Sequence, residues 1–166
     1  MELESSVFHI AILFGAVLLL VVAAVNDAQR YRIPNWVCGA VVLLFPCFAF
    51  TAPTAIDWMQ HLMIFGLVLA AGFAMFMGHI AGAGDIKLLA AVSLWAGPHY
   101  IALFLVITAI AGGALALVMA ALTYVRNMSA AQAIAVARVP IPYGIAISTG
   151  GLGVLYMLSQ PLLFPN

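Results

Sequence analysis

Charged side chains are almost absent from this chain, and their scarcity limits its fold more than any other feature of the sequence. Only 6% of the 166 residues are charged, whereas a soluble domain carries about 25%. Hydrophobic residues make up 67%, and the mean hydropathy is +1.23. A soluble globule of this size could not cover so apolar a sequence with polar surface. We therefore expect an integral protein of the lipid bilayer.

The apolar residues form long runs separated by polar segments, and most runs have the length of a bilayer crossing. A helix needs about 20 apolar residues to span the hydrocarbon. The runs predict an all-α polytopic bundle of about six transmembrane helices, forming one domain over residues 1–166. The predicted spans cover 7–26, 36–52, 58–78 and 141–158, and a long run over 86–124 supplies the fourth and fifth crossings.

The division of the long run depends on its glycine and proline residues. A turn at Gly97-Pro98 gives a short fourth helix and a long fifth one, and a turn at Gly112-Gly113 gives the opposite division. We expect two crossings because a single crossing would be far too long. In the polar segment that follows, Ser129 begins a sequence with capping-box spacing, which predicts a short interfacial helix.

The distribution of charge agrees with six crossings and gives them a direction. With six crossings, the acidic residues Glu2, Glu4 and Asp57 fall on one side of the membrane. All five cations fall on the other side: Arg30, Arg32, Lys87, Arg126 and Arg138. Because basic loops stay in the cytoplasm, we expect both termini on the outer side. The net charge of zero leaves no basic patch for phosphates, so nucleic-acid binding is not expected.

Two carboxylates remain, Asp27 and Asp85, and both lie at the cytoplasmic ends of predicted spans. An ionisable residue at membrane depth is costly and is therefore a functional candidate. A pair of carboxylates suits general acid–base hydrolysis, in which one activates water and the other, protonated, polarises a carbonyl. The alternative for Asp27 is a structural role, in which it caps the loop and pairs with Arg30.

The expected helix ends suggest different roles for the two aspartates. Asp85 follows Gly82 and Gly84, which permit close backbone approach, and it is a candidate N-cap of the fourth helix. The helix dipole favours an anion at that end, and it favours a neutral acid near the C-terminus of the first helix. We therefore expect Asp85 to be the resting base and Asp27 the resting acid.

Three segments, in order along the chain, resemble the motifs of one protein family. Residues 82–88 (GAGDIKL) resemble the GxGDxKL motif of the type IV prepilin peptidases, which are membrane aspartic proteases. Asp27 and residues 30–35 (RYRIPN) resemble the family's first catalytic aspartate and the segment after it. Residues 142–146 (PYGIA) resemble a motif in the last span of the small, Flp-type members. The resemblance covers essentially the whole chain.

The resemblance implies an enzyme that removes the leader of prepilins or pseudopilins at the cytoplasmic face of the bacterial inner membrane, and so serves pilus assembly indirectly. It implies that Asp27 and Asp85 are catalytic and that no metal or cofactor takes part. The first cytoplasmic loop has only about nine residues, which leaves no place for the region that N-methylates the product in larger members. The residues expected to support the site are Arg30, Pro34, Asn35, Gly82, Gly84, Lys87 and Tyr143.

Simpler roles and other functions fit some of the same residues. Arg30 suits a topology signal, Lys87 an interface anchor, and Tyr143 an aromatic belt. An ion- or proton-coupled transporter would also place carboxylates beside a broken helix, but the middles of these spans are almost purely apolar. A non-catalytic membrane assembly factor would use the aspartates only to orient helices. The sequence leaves the pilin substrate and the oligomeric state open.

Overall fold

The chain folds into helices throughout the part that the computed structural model describes, which is residues 2–52, 55–128 and 141–163; side chains are described over 7–52, 55–124 and 141–160. The helices are α1 (Glu2–Arg30), α2 (Asn35–Thr51), α3 (Trp58–Met77), α4 (Ala83–Met128) and α5 (Tyr143–Leu163). The predicted all-α class is confirmed. Three stretches are long and apolar enough to cross a membrane, Val7–Arg30, Trp58–Met77 and Ala83–Tyr124, and α2 is a shorter apolar helix.

The number of helices differs from the predicted six. The run that we expected to form two helices is a single 46-residue element, α4, with non-helical backbone angles at Gly97 (φ 53°, ψ −167°) immediately before Pro98. The break therefore lies at the first of the two expected turns, whereas Gly112 and Gly113 continue the helix. Six helices are not confirmed. The interfacial helix expected at Ser129 lies outside the described residues.

The first half of α4 lies at the centre of the bundle. Residues 90–97 are buried without interruption, and α4 contacts α2, α3 and α5, while α1 packs on α2 and α5. A Cβ atom on Gly151 would lie 2.8 Å from Leu20 Cδ1 and 3.1 Å from Val92 Cγ1. Glycine at this position lets α1, α4 and α5 approach one another closely, as small residues do in membrane bundles.

Side chains from neighbouring helices bond backbone carbonyl groups of α4 and α2. Pro98 has no N–H to donate to the Leu94 carbonyl four residues before it, and the His61 Nδ1 atom lies 2.7 Å from that oxygen. Because a carbonyl only accepts, Nδ1 must carry the proton. In α2, which contains Pro46, Trp95 Nε1 donates to the Val41 carbonyl at 3.0 Å. The His61 bond satisfies a backbone group that lipid could not.

Candidate active site

Asp27 lies near the C-terminus of α1, as we expected, because the helix continues to Arg30. Its side chain is only 3% exposed. The carboxylate atom Oδ2 accepts a hydrogen bond from the backbone N–H of Gly144 at 2.6 Å. The first N–H groups of a helix have no intrahelical partner. The amino-terminal turn of α5 therefore holds Asp27 with a donor that the helix does not use itself.

The contact between Asp27 and Gly144 depends on the absence of a side chain at position 144. A Cβ atom there would lie 2.8 Å from Asp27 Oδ2 and 2.9 Å from both its Cβ and its Cγ. Real Cβ atoms do not approach other heavy atoms so closely. Glycine is therefore required where α5 meets the aspartate.

Asp85 lies in the first turn of α4, three residues further into the helix than the N-cap position that we expected it to occupy. The helix begins at Ala83, which makes Gly82 the N-cap and Asp85 the third helical residue. The Asp85 carboxyl group turns back toward Gly82, where a Cβ atom would lie 2.9 Å from Oδ2. The expected N-cap role was wrong because the close turn at Gly82 starts the helix earlier.

The two aspartates lie at the same end of the bundle although 58 positions separate Asp27 from Asp85 in the sequence. The loop that follows Asp27 contacts the start of the helix that carries Asp85, through Gly84 on Ile33 and Lys87 on Asn35, and Asp85 is half-buried while Asp27 is buried. Asp27 belongs to α1 but contacts the amino terminus of α5, and Asp85 lies at the amino terminus of α4. The helix-dipole argument that assigned one as the acid and the other as the base therefore no longer distinguishes them.

Four of the expected supporting residues join the loop after α1 to the start of α4. A Cβ atom on Gly84 would lie 3.4 Å from Ile33 Cβ, so this glycine packs against the loop. Pro34 is the N-cap of α2, and Asn35, its first residue, accepts a hydrogen bond from Lys87 Nζ at 3.0 Å. The segments 30–35 and 82–88 thus meet beside the aspartates.

The two other expected residues lie near the site without contacting either aspartate through a described hydrogen bond. Arg30 is the last residue of α1 and is exposed; the Gly144 amide, and not its guanidinium group, holds Asp27. Tyr143 is the first residue of α5 and is 45% exposed, and its ring lies against Gly112 of α4. The predicted support by these two side chains stays a prediction.

Comparison with known protein families identifies the family. A family model described as the type IV leader peptidase family matches residues 10–117, well over half of the chain. The chain belongs to this family. Neither the curated proteins nor the solved structures gave a match. The range that the family model matches contains both aspartates, whereas α5 lies beyond it.

Gly144 is the residue of the site whose role our sequence analysis did not predict. It lies inside the 142–146 segment (PYGIA), but we assigned it no role in the site and expected support from Tyr143. A proline such as Pro142 at the start of an apolar run is typical of a helix amino terminus. Such a terminus readily binds an anion. Its partner could be recognised only after the fold placed α1 beside α5.

A cavity of about 320 Å³ lies far from the two aspartates. Its lining includes His9, His61 and His99, and His9 precedes Asp27 by 18 residues, or about 27 Å of α1. Among the described residues, no three His, Cys, Asp or Glu side chains are grouped so that they could hold a metal ion.

Proposed function

We propose that this chain is a membrane aspartic endopeptidase that removes the leader peptide of type IV, Flp-type prepilins or pseudopilins. The observation that carries the proposal is that, in a chain of the type IV leader peptidase family, Asp27 and Asp85 lie at the same end of the bundle, where the loop after Asp27 contacts the start of the helix that carries Asp85. Two carboxyl groups from different helices form the pair that acid–base hydrolysis of a peptide needs.

The proposed reaction uses the two aspartates in opposite protonation states. The ionised carboxylate takes a proton from water while the water oxygen attacks the scissile carbonyl carbon, and the protonated carboxyl group donates to the carbonyl oxygen. Collapse of the tetrahedral intermediate breaks the C–N bond, and the leaving amine takes up a proton. Two carboxyl groups that share a site readily hold one proton between them, because like charges disfavour double ionisation.

We place the aspartates at the cytoplasmic face of the bacterial inner membrane, in a single multi-pass domain. The break at Gly97 would divide α4 into two crossings, giving six in all with both termini outside. The basic residues Arg30 and Lys87 lie at the aspartate end of the bundle, and Asp57 lines the distant cavity. This separation of charge supports the positive-inside orientation.

A prepilin has the chemistry that such a site would accept. Its polar leader lies in the cytosol and its apolar helix in the bilayer, so the scissile bond lies at the membrane interface. The carboxyl pair also lies at the ends of apolar helices, at the depth that this substrate requires. We propose no N-methylation, because the loop between α1 and α2 is short.

The experiment is leader cleavage in membranes that contain a co-expressed Flp-type prepilin. The unmodified chain is compared with Asp85→Asn at matched expression, because the amide is nearly isosteric and cannot ionise. Asp57→Asn is the matched control, since Asp57 caps α3 through the N–H groups of Met59 and Gln60 and accepts a bond from Gln60 Nε2, and asparagine caps a helix equally well.

The proposed function requires cleavage by the unmodified chain and by Asp57→Asn, and none by Asp85→Asn. Equal cleavage by all three would exclude Asp85 from catalysis. Retained pilus assembly by a folded Asp85→Asn chain would favour the assembly-factor alternative, in which the aspartates only orient helices. Cleavage by none would contradict the peptidase function for this substrate and return the transporter to consideration.

A further inference from the structure

Asp27 has one oxygen engaged and one oxygen left for the reaction. Gly144 N–H donates to Oδ2 at the short distance of 2.6 Å. A carboxyl group has two oxygens on one plane, so fixing Oδ2 also fixes the direction in which Oδ1 points. The backbone of α5 therefore sets the orientation of the Asp27 side chain.

We propose that the amino-terminal turn of α5 is a third element of the active site and that Gly144 is a positioning residue for Asp27. The inference rests on the proposed peptidase function, and it extends the site beyond residues 10–117, the range that the family model matches. Gly144 touches no substrate; it acts through the orientation of Asp27 relative to Asp85.

The need for glycine at position 144 follows from contacts with the reacting side chain itself. A Cβ atom there would meet three atoms of Asp27 at 2.8–2.9 Å. The Asp27 side chain is short and almost fully buried, so its carboxyl group cannot move away without losing the hydrogen bond from the Gly144 amide. A displacement of this size disturbs the geometry of a carboxyl pair, and misplacement by about 1 Å can cost about 100-fold in rate.

The other glycines of α5 serve helix packing and so provide a comparison. A Cβ atom on Gly151 would meet Leu20 and Val92, which are core side chains. A Cβ atom on Gly153 would meet only Ile107 Cδ1, the far end of a flexible side chain that can move aside. Of these, Gly144 alone contacts a carboxylate. Gly153→Ala is therefore the matched control for Gly144→Ala.

The first measurement tests the contact without using enzymatic activity. The chain has 14 glycines, and labelling them with ¹⁵N gives a spectrum in which the Gly144 amide can be assigned in detergent micelles. A proton in a short bond to a carboxylate resonates far downfield, so we expect the Gly144 signal there in the unmodified chain. Asp27→Ala should move it upfield, and Asp57→Asn should leave it in place. An ordinary Gly144 shift, unchanged by Asp27→Ala, would overturn the inference.

The second measurement is the steady-state kinetics of leader cleavage by purified protein. We expect Gly144→Ala to lower kcat about 100-fold while KM stays within about twofold, because the substrate surface is intact and only the carboxyl pair is disturbed. Gly153→Ala should retain kcat. Equal loss in both variants, or a Gly144→Ala loss confined to KM, would overturn the positioning role.

The two measurements separate this inference from the function on which it rests. If the unmodified chain does not cleave, the peptidase function fails, while the amide signal still reports whether α5 holds Asp27. If the unmodified chain and Gly144→Ala cleave equally, the peptidase function stands and the positioning role fails. Glycine spectra of Gly144→Ala that keep the other amide positions would show that the variant is folded.

Discussion

The ammonium group of Lys87 donates a hydrogen bond to Asn35 Oδ1 at 3.0 Å and so joins the first turn of α4 to the first residue of α2. Beside this bond, Gly84 packs on Ile33. Together these contacts hold the segment that carries Asp85 against the loop that follows Asp27. The two motifs are thus one structural unit, although 52 positions separate Asn35 from Lys87.

A double-mutant cycle should detect the coupling between Lys87 and Asn35. Lys87→Met and Asn35→Ala should each lower the free energy of unfolding by about 1 kcal/mol or less, the range for one hydrogen bond and low here because the pair is exposed. The double variant should cost less than the sum of the single variants. Unfolding in mixed micelles measures all four chains. Strict additivity would contradict a bond between these side chains in the membrane-embedded protein.

Gly97→Ala should destabilise the protein through the backbone. A φ of 53° with ψ near 180° is a region that essentially only glycine occupies, and forcing another residue into it costs about 1–3 kcal/mol. The added methyl group would also overlap the His61 ring. Gly113→Ala is the control, because Gly113 is helical and no heavy atom lies within 4 Å of its Cβ position. Equal unfolding free energies for the two variants would show that the break is not formed.

His61→Phe should test the bond that closes the proline break. Phenylalanine keeps an aromatic ring beside Phe45, with which His61 stacks at a centroid distance of 5.3 Å, but it cannot donate to the Leu94 carbonyl. We expect a loss of about 1–3 kcal/mol in the free energy of unfolding, the cost of a buried carbonyl left without a donor. Unfolding in mixed micelles again supplies the measurement. Unchanged stability would mean that another donor serves Leu94.

Labelling of single cysteines should test the proposed orientation. In a chain with Cys38→Ala and Cys47→Ala, Tyr31→Cys lies at the aspartate end and His99→Cys follows the Gly97 break; both side chains are exposed. A membrane-impermeant maleimide should label His99→Cys in intact cells and Tyr31→Cys only after permeabilisation. Labelling of both positions from the same side would contradict six crossings with both termini outside.

The sequence predicted those parts of the protein that depend on local pattern. Long apolar runs require helices in lipid, because only internal hydrogen bonds can satisfy the backbone there. A glycine followed by proline at 97–98 indicated the break in α4 correctly, because neither residue favours a continuous helix. The sequence also placed both candidate aspartates in motifs at the same end of the predicted spans, and it left open whether their side chains lie close together.

The parts that the sequence did not predict depend on which helices touch. We expected Asp27 to be the neutral acid because the sequence indicated only the C-terminal dipole of its own helix. The fold places it on the amino terminus of α5, which reverses that environment. His61 reaches the Leu94 carbonyl only because α3 packs on α4. Neither contact can be predicted from the spacing of residues along the chain.

The most direct test of the two-aspartate account is leader cleavage by the purified chain in liposomes with Asp27→Asn. Cleavage of a Flp-type prepilin would be followed by mass spectrometry of the new N-terminus, with Asp57→Asn as control. The account predicts correct cleavage by the unmodified and control chains and a loss of activity of at least about 1000-fold in Asp27→Asn, comparable to losing a member of a catalytic unit. Cleavage by a folded Asp27→Asn chain at the unmodified rate would contradict it.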